Sequence, residues 1–319
     1  MGGMDRDTAE DSCERVSGRG RSGGRPPAAK GTLPVSLRGV LWMLLGMSCI
    51  GILDGAAKYL GLRLNGLEVA WGYFLATFAC VVGYALATGV PPSRLVRSRR
   101  PWLQAGRAAC LVASLSCLFV SLTYLPLAEA TAINFTGPLF IVALSGPLLG
   151  ERIDPGRWLA VAVGMCGALI VVRPGAEVFH WASLLPLAGA FFFALLNIIT
   201  RLQRSADPTL TTLAHTFGIG SALMSLALPF VWVAPTPAEW AVFAGSGVLG
   251  FAAHFSIVRS LEIADASTVA PLNYVRLVWA IGIGFVVFGN VPGAATLVGG
   301  AIIVASGLYV VLREADPAR

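Results

Sequence analysis

The chain of 319 residues is 56% hydrophobic and only 13% charged, with a net charge of +6 and a mean hydropathy of +0.74. A soluble domain of this length carries about a quarter charged residues, so the composition excludes one and implies a polytopic membrane protein. The positive balance does not indicate nucleic acid. Seven of the 23 Lys and Arg precede residue 40 and most others flank apolar runs, as basic residues on a cytoplasmic side do.

Residues 1–36 are dominated by Gly, Arg, Pro and Ser, for example Gly18-Arg19-Gly20-Arg21-Ser22. Such a stretch cannot bury enough apolar surface to order itself. It reads as a disordered cytoplasmic tail or as a start codon placed too early. No short apolar core with a cleavage site follows, so it is not read as a signal peptide.

Ten apolar runs follow, near 38–60, 67–88, 102–123, 126–149, 156–173, 182–200, 209–231, 239–261, 266–288 and 294–312. Runs of this length are read as helices, because a helix satisfies its own backbone in lipid. Basic residues gather in alternate links: Arg94, Arg97, Arg99 and Arg100, then Arg152 and Arg157, then Arg201 and Arg204, then Arg313. The other links hold only Arg63 and Arg173. This asymmetry places both termini in the cytoplasm of a cell with the chain in its inner (plasma) membrane. Trp42, Trp102, Trp158, Trp181, Trp232 and Trp240 fall at run ends, where indole prefers the interface, whereas Trp71 and Trp279 fall inside runs. Cys49, Cys80, Cys110, Cys117 and Cys166 lie within runs, form no Cys-x-x-Cys pair, and read as small apolar residues.

The fourth run has a weaker copy in the ninth. Ala128-Glu129-Ala130-Thr131 returns as Ala264-Asp265-Ala266-Ser267, Asn134-Phe135 as Asn273-Tyr274, and Gly150-Glu151 as Gly289-Asn290. The offset is 136 residues at the acidic motif and 139 from the asparagine onward (273 − 134). Asp54 and Lys58 of the first run likewise align with Asn197 and Arg201 of the sixth. Five runs per half is an odd number, so the second half enters the membrane in the opposite sense. The expected fold is all-α: ten transmembrane helices in two inverted five-helix repeats, an arrangement that places a site at the repeat interface.

The polar residues inside the runs carry the functional signal. Arg276 lies near the middle of the ninth run, where an arginine costs about 2.5–3.5 kcal/mol to insert, so it needs a cavity or a partner. Asp54, Glu68 and Glu129 are the candidate acids. Asn273, Arg276 and Trp279 share a helical face, with Tyr274 beside them; Thr131, Asn134 and Pro138 form the matching stripe on the fourth run. Pro138 and Pro271 each free a backbone carbonyl. The stripes predict a substrate cavity between spans four and nine, formed by Arg276, Asn273, Tyr274, Trp279, Asn134 and Thr131; the competing reading is a network that only holds the bundle together. Asp54 and Lys58 are one turn apart, either a structural ion pair or proton- or ion-coupling residues. His254 is either a titrating group or a neutral donor. Glu129 and Asp265 stand in first turns, where an acid complements the helix dipole. Arg107, Arg201 and Arg259 are read as snorkelling. Gly245-x-Gly247-x-x-Gly250 matches a dinucleotide fingerprint but lacks a preceding strand, so it reads as helix packing. No nucleophile with a base, metal-ligand cluster or phosphate loop is found. No enzyme activity, metal or cofactor is expected.

Tyr124-Leu125-Pro126-Leu127-Ala128-Glu129-Ala130-Thr131, Pro138-Leu139-Phe140, Gly150-Glu151-Arg152, Asp54-Gly-Ala-Ala-Lys58 and the stretch from Ala270 to Ala280 resemble the drug/metabolite transporter superfamily, EamA type. The resemblance implies two EamA repeats, here 37–175 and 176–313, with 1–36 and 314–319 as tails. It also implies a metabolite substrate such as an amino acid, S-adenosylmethionine or riboflavin. Two departures stand out. Trp71-Gly72-Tyr73 occupies the part of span two where many members carry an arginine, and Asn290 stands where a glutamate is common. The expected function is secondary transport of a small polar or zwitterionic metabolite by alternating access between the two halves. A second reading is an intramembrane sensor or enzyme on the same bundle. The expected partners are a small-molecule metabolite and the lipid bilayer, without nucleic acid; a homodimer is an assembly to test.

Overall fold

The computed structural model describes residues 35–150, 155–173, 180–202, 207–263 and 270–314. Residues 1–34, the acidic motif at 264–267, Glu151-Arg152, Arg204 and 315–319 lie outside the described residues. The described chain is helical throughout, without a strand.

The helices are α1 (Val35–Leu60), α2 (Gly66–Ala87), the short α3 (Pro92–Val96), α4 (Pro101–Tyr124), α5 (Leu127–Asn134), α6 (Gly137–Leu149), α7 (Pro155–Val172), α8 (Leu184–Leu202), α9 (Thr209–Val231), α10 (Pro237–Ile263), α11 (Val275–Val286) and α12 (Ala294–Glu314). A 3-10 turn, Trp181–Ser183, precedes α8, and another, Ala270–Tyr274, precedes α11. Local chemistry sets several starts. The Asn65 side chain accepts the Leu67 N–H and caps α2. Thr236 and Glu239 form a capping box at α10, with Thr236 N–H donating to Glu239 Oε2 (2.7 Å) and Glu239 N–H to Thr236 Oγ1 (3.3 Å).

Among the described residues, seven helical stretches are long and apolar enough to cross a bilayer. They are Leu37–Leu60, Gly66–Ala87, Pro101–Tyr124, Leu127–Leu148, Trp181–Thr200, Thr209–Val231 and Pro237–Ser260. Three shorter apolar helices, Trp158–Val172, Leu272–Val286 and Ala294–Tyr309, fall at the expected fifth, ninth and tenth runs. Large apolar side chains cover the outside, including Phe230 (87% exposed) and Leu226 (72%). A soluble protein does not present such a continuous apolar surface. This is a multi-pass membrane protein.

The fourth run is broken. After α5 the chain makes two tight turns, Thr136 N–H to Ile133 O and Leu139 N–H to Thr136 O, before α6 resumes. Pro138 has no N–H to give the carbonyl of Asn134, which explains the position of the break. The ninth run breaks at the equivalent place, with its 3-10 turn ending at Tyr274. Both copies also end alike. Gly150 and Gly289 have φ of +71° and +65°, so each closes its helix in the left-handed region that glycine tolerates.

Several of the main packing pairs recur under exchange of the two halves. α1 packs on α10 as α8 packs on α4. α2 packs on α10 as α9 packs on α4, and α1 on α11 as α8 on α6. Three contacts map onto themselves: α2 with α9, α7 with α12, and span four with span nine. In the last of these, Phe135 touches its own counterpart Tyr274, ring centroids 5.2 Å apart. The core lies between α2, α4, α9 and α10, around the buried Phe74, Phe119, Phe217 and Phe243. Gly247 and Gly250 of the fingerprint-like motif pack on Ala76, Thr77 and Tyr73 of α2, within one continuous helix. They join helices, as the sequence suggests.

Candidate functional site

Arg276 is the second residue of α11, just past the break. Its Nε donates to Asp54 Oδ2 (2.5 Å) and its Nη2 to Asp54 Oδ1 (3.0 Å), a bidentate pair to α1. The Asp54 side chain is 2% exposed and that of Arg276 17%. Of the three candidate acids, Asp54 is the partner. Trp279, one turn on, donates Nε1–H to Ser48 Oγ on α1 (3.0 Å). The side-chain-free positions Gly51 and Gly55 let Trp279 and Ile283 close onto α1. The face with Arg276 and Trp279 therefore meets span one.

The other stripe turns elsewhere. Asn134 Nδ2 donates to Pro186 O on α8 (3.3 Å), and Thr131 is buried, 1% exposed. Asn273 is half-buried in the 3-10 turn. Tyr274 sits against Phe135, so spans four and nine do meet, through these rings. Beside them a cavity of about 320 Å³ between α5, α11 and α12 is lined by Tyr274, Leu277, Ile281, Thr296 and Gly300, among others. Its walls are almost entirely apolar, and neither Arg276 nor Asn134 lines it. The structure thus groups Arg276, Trp279 and Asp54 at the α1–α11 contact and places Asn134 against α8. The two stripes each follow a different neighbour.

Of the two readings of Asp54 and Lys58, the ion pair between them does not form in this structure: Asp54 is taken by Arg276 and Lys58 turns to α4. Its Nζ donates to the carbonyls of Leu125 (2.7 Å) and Leu122 (3.2 Å) and lies over the Phe288 ring. Those carbonyls belong to the end of α4, where a cation also complements the helix dipole. His254 lies between α2, α9 and α10, with Nε2 3.4 Å from Tyr73 Oη and its ring 5.1 Å from that of Phe217.

Several polar contacts were not anticipated. Arg63, in the link after α1, grips Glu239 of the capping box through Nε (2.7 Å) and Nη2, and reaches Ala234 O (2.9 Å). The Thr-x-x-Glu spacing was the available signal. Glu68 is buried on α2 and accepts Val233 N–H (3.2 Å). Trp71 packs edge-on against Trp232 and Trp240, two of the interfacial tryptophans, so it sits with them at one end of the bundle. Arg107 does not snorkel freely: its Nε donates to Thr200 Oγ1 on α8 (3.1 Å) and its Nη1 to Thr216 Oγ1 on α9 (3.2 Å). Asp207 accepts from Ser98 Oγ (2.6 Å), Arg99 N–H (2.9 Å) and Gln104 Nε2 (3.0 Å). Burial pushes its carboxyl up, but these hydrogen bonds outweigh that and hold it below the usual aspartate range.

The profile of the EamA-like transporter family matches residues 37–173 and 180–313. An S-adenosylmethionine uptake transporter of Rickettsia prowazekii is 28% identical over 88% of this chain and 95% of its own length. A riboflavin transporter of Vibrio cholerae is 30% identical over 89% and 96%. A solved crystal structure 21% identical shares the fold, with a TM-score of 0.60 over 88% of this chain and 98% of that one.

Proposed function

Because the chain belongs to the EamA-like transporter family, we propose that it is a secondary carrier for a small polar or zwitterionic metabolite. In this reading all ten apolar runs cross the membrane as two inverted five-helix halves, 37–175 and 176–313, with both termini in the cytoplasm. The three shorter helices complete the ten. The carriers of S-adenosylmethionine and riboflavin support a metabolite substrate of moderate size. The non-enzymatic character rests on the same family membership.

The observation that carries the proposal is the Asp54–Arg276 pair, buried between span one of one half and span nine of the other. Buried ion pairs add little stability over apolar packing, so a charge pair at a half-to-half contact is an expense that transport explains. By the 139-residue offset Arg276 corresponds to Gly137 (276 − 139), which faces Phe193 of α8. The pair therefore joins span one to span nine without a counterpart at the related contact of spans six and four, where Gly137 stands. Rocking of the halves parts α1 from α11 and exposes Arg276 with Trp279, Tyr274 and Asn273. Asn134 and Thr131 lie across the break of span four, and Asp54 is free to take a proton when Arg276 turns to substrate. Lys58 and His254 flank this path. Untargeted comparison of metabolites inside and outside cells with and without the protein tests the reading. It fails if no metabolite redistributes and if proteoliposomes loaded from the same pool show no exchange.

A further inference from the structure

We propose that Arg107 receives an oxyanion of the transported metabolite, a carboxylate or phosphate, at the contact of α4 with α8 and α9. This rests on the transporter reading and names a substrate class for it. The arginine is half-buried, on the second turn of α4, at the end of the bundle that carries Arg94, Arg97, Arg99 and Arg100. Its two hydrogen bonds go to the hydroxyls of Thr200 and Thr216. Each hydroxyl gives its own proton to the carbonyl four residues back, Leu196 O (2.7 Å) and Thr212 O (2.8 Å). Both therefore act on the arginine purely as acceptors. They fix its orientation and leave its charge unbalanced. A guanidinium has five N–H donors, so the fork keeps three beyond those two.

No described acid supplies the missing charge. The ion pairs Arg63–Glu239 and Arg276–Asp54 do not involve Arg107. Asp207, at the same end, is occupied by Ser98, Arg99 and Gln104. A half-buried guanidinium with no described acid beside it is under-compensated, and a planar oxyanion received by its remaining donors would balance it. Arg276 is closed by Asp54 in this conformation, whereas Arg107 is not. The site also joins both halves, α4 from the first and α8 and α9 from the second, where alternating access would open and close it. Phe217, next to Thr216, meets His254 of α10 edge-on, so α10 packs close to this contact.

The test uses the full chain, purified in detergent and reconstituted in liposomes. Matched probes differ only in the anion: nicotinate and nicotinamide, L-tryptophan and L-tryptophanamide, riboflavin 5′-phosphate and riboflavin. Thermal stabilisation and uptake are read for each. The expected result is that at least one anionic member is bound and carried about tenfold better than its neutral partner, the scale of one charge-assisted hydrogen bond. The carboxylate and phosphate pairs tell the two oxyanions apart. Arg107→Gln abolishes the preference and Arg107→Lys keeps part of it. Should Arg107→Gln fail to fold, the wild-type pairs and Arg107→Lys decide. Equal handling of anionic and neutral members, or a preference that survives Arg107→Gln, overturns the assignment while leaving the carrier intact. Silence of every probe in both assays counts against both.

Discussion

Arg276 and Asp54 form a buried pair in which a folding role and a transport role can be told apart. Removing the arginine leaves Asp54, 2% exposed, without compensation, at about 3–5 kcal/mol. Arg276→Ala is expected to lower the yield of folded protein sharply, as seen by size-exclusion profile, and adding Asp54→Asn to restore it. The restored double variant is expected to lack transport, because neither the guanidinium nor the proton site remains. Wild-type flux from a well-folded Arg276→Ala protein would remove Arg276 from the mechanism. Lys58 is a separate case. Its ammonium holds the last carbonyls of α4, so Lys58→Met is expected to cost about 1–3 kcal/mol in thermal unfolding. Loss of flux with unchanged stability would instead point to a coupling role.

At the scale of elements, the contact of α2 with α10 leaves no room at Gly72. Gly72 lies under the Phe243 ring, and a Cβ there would collide with it. A larger side chain at this position cannot be accommodated while Phe243 stands. Gly72→Ala is expected to destabilise by about 1–3 kcal/mol through overpacking, and Phe243→Ala in the same chain to recover part of the loss. Differential scanning fluorimetry of the single and double variants checks this; additive losses would mean that the two residues do not share the space. The breaks of spans four and nine belong to this scale too. A proline at position 138 frees a carbonyl, and the chain answers with tight turns instead of a smooth kink.

At the scale of the whole molecule, the main helix contacts among the described residues recur under exchange of the halves, although α2 with α4 has no such counterpart. The proposed topology predicts that reporter fusions after Pro174, Ala234 and Asn290 report outside, and that fusions after Arg100, Arg204 and Arg313 report inside. An inside signal at Ala234 would sink the five-plus-five arrangement. Arg63 ties the α1–α2 link to the start of α10 at Glu239, across the two halves at that end. Separation of the halves during a transport cycle has to break this pair, and its exposure (43% at Arg63) keeps that cost small.

Composition and periodicity by themselves determined a helical membrane protein, because apolar runs of this length have few other ways to satisfy their backbone in lipid. The repeated Asn-aromatic and Gly-acid or Gly-Asn motifs were enough to pair span four with span nine, and the depth of Arg276 was enough to demand a partner. Partner identity was not legible. Glu68, Glu129 and Asp54 were all open as partners, and only the rotation of α11 onto the glycine face of α1 chose Asp54. Helical spacing likewise put Asn273, Arg276 and Trp279 on one face without saying which helix that face meets. It left Lys58 and Asp54, one turn apart, either as a pair or as separate coupling groups, and only the structure shows the Lys58 side chain reaching the end of α4. Side-chain partners inside a bundle are set by which helices cross and at what rotation, and those follow from long-range packing that local sequence does not encode.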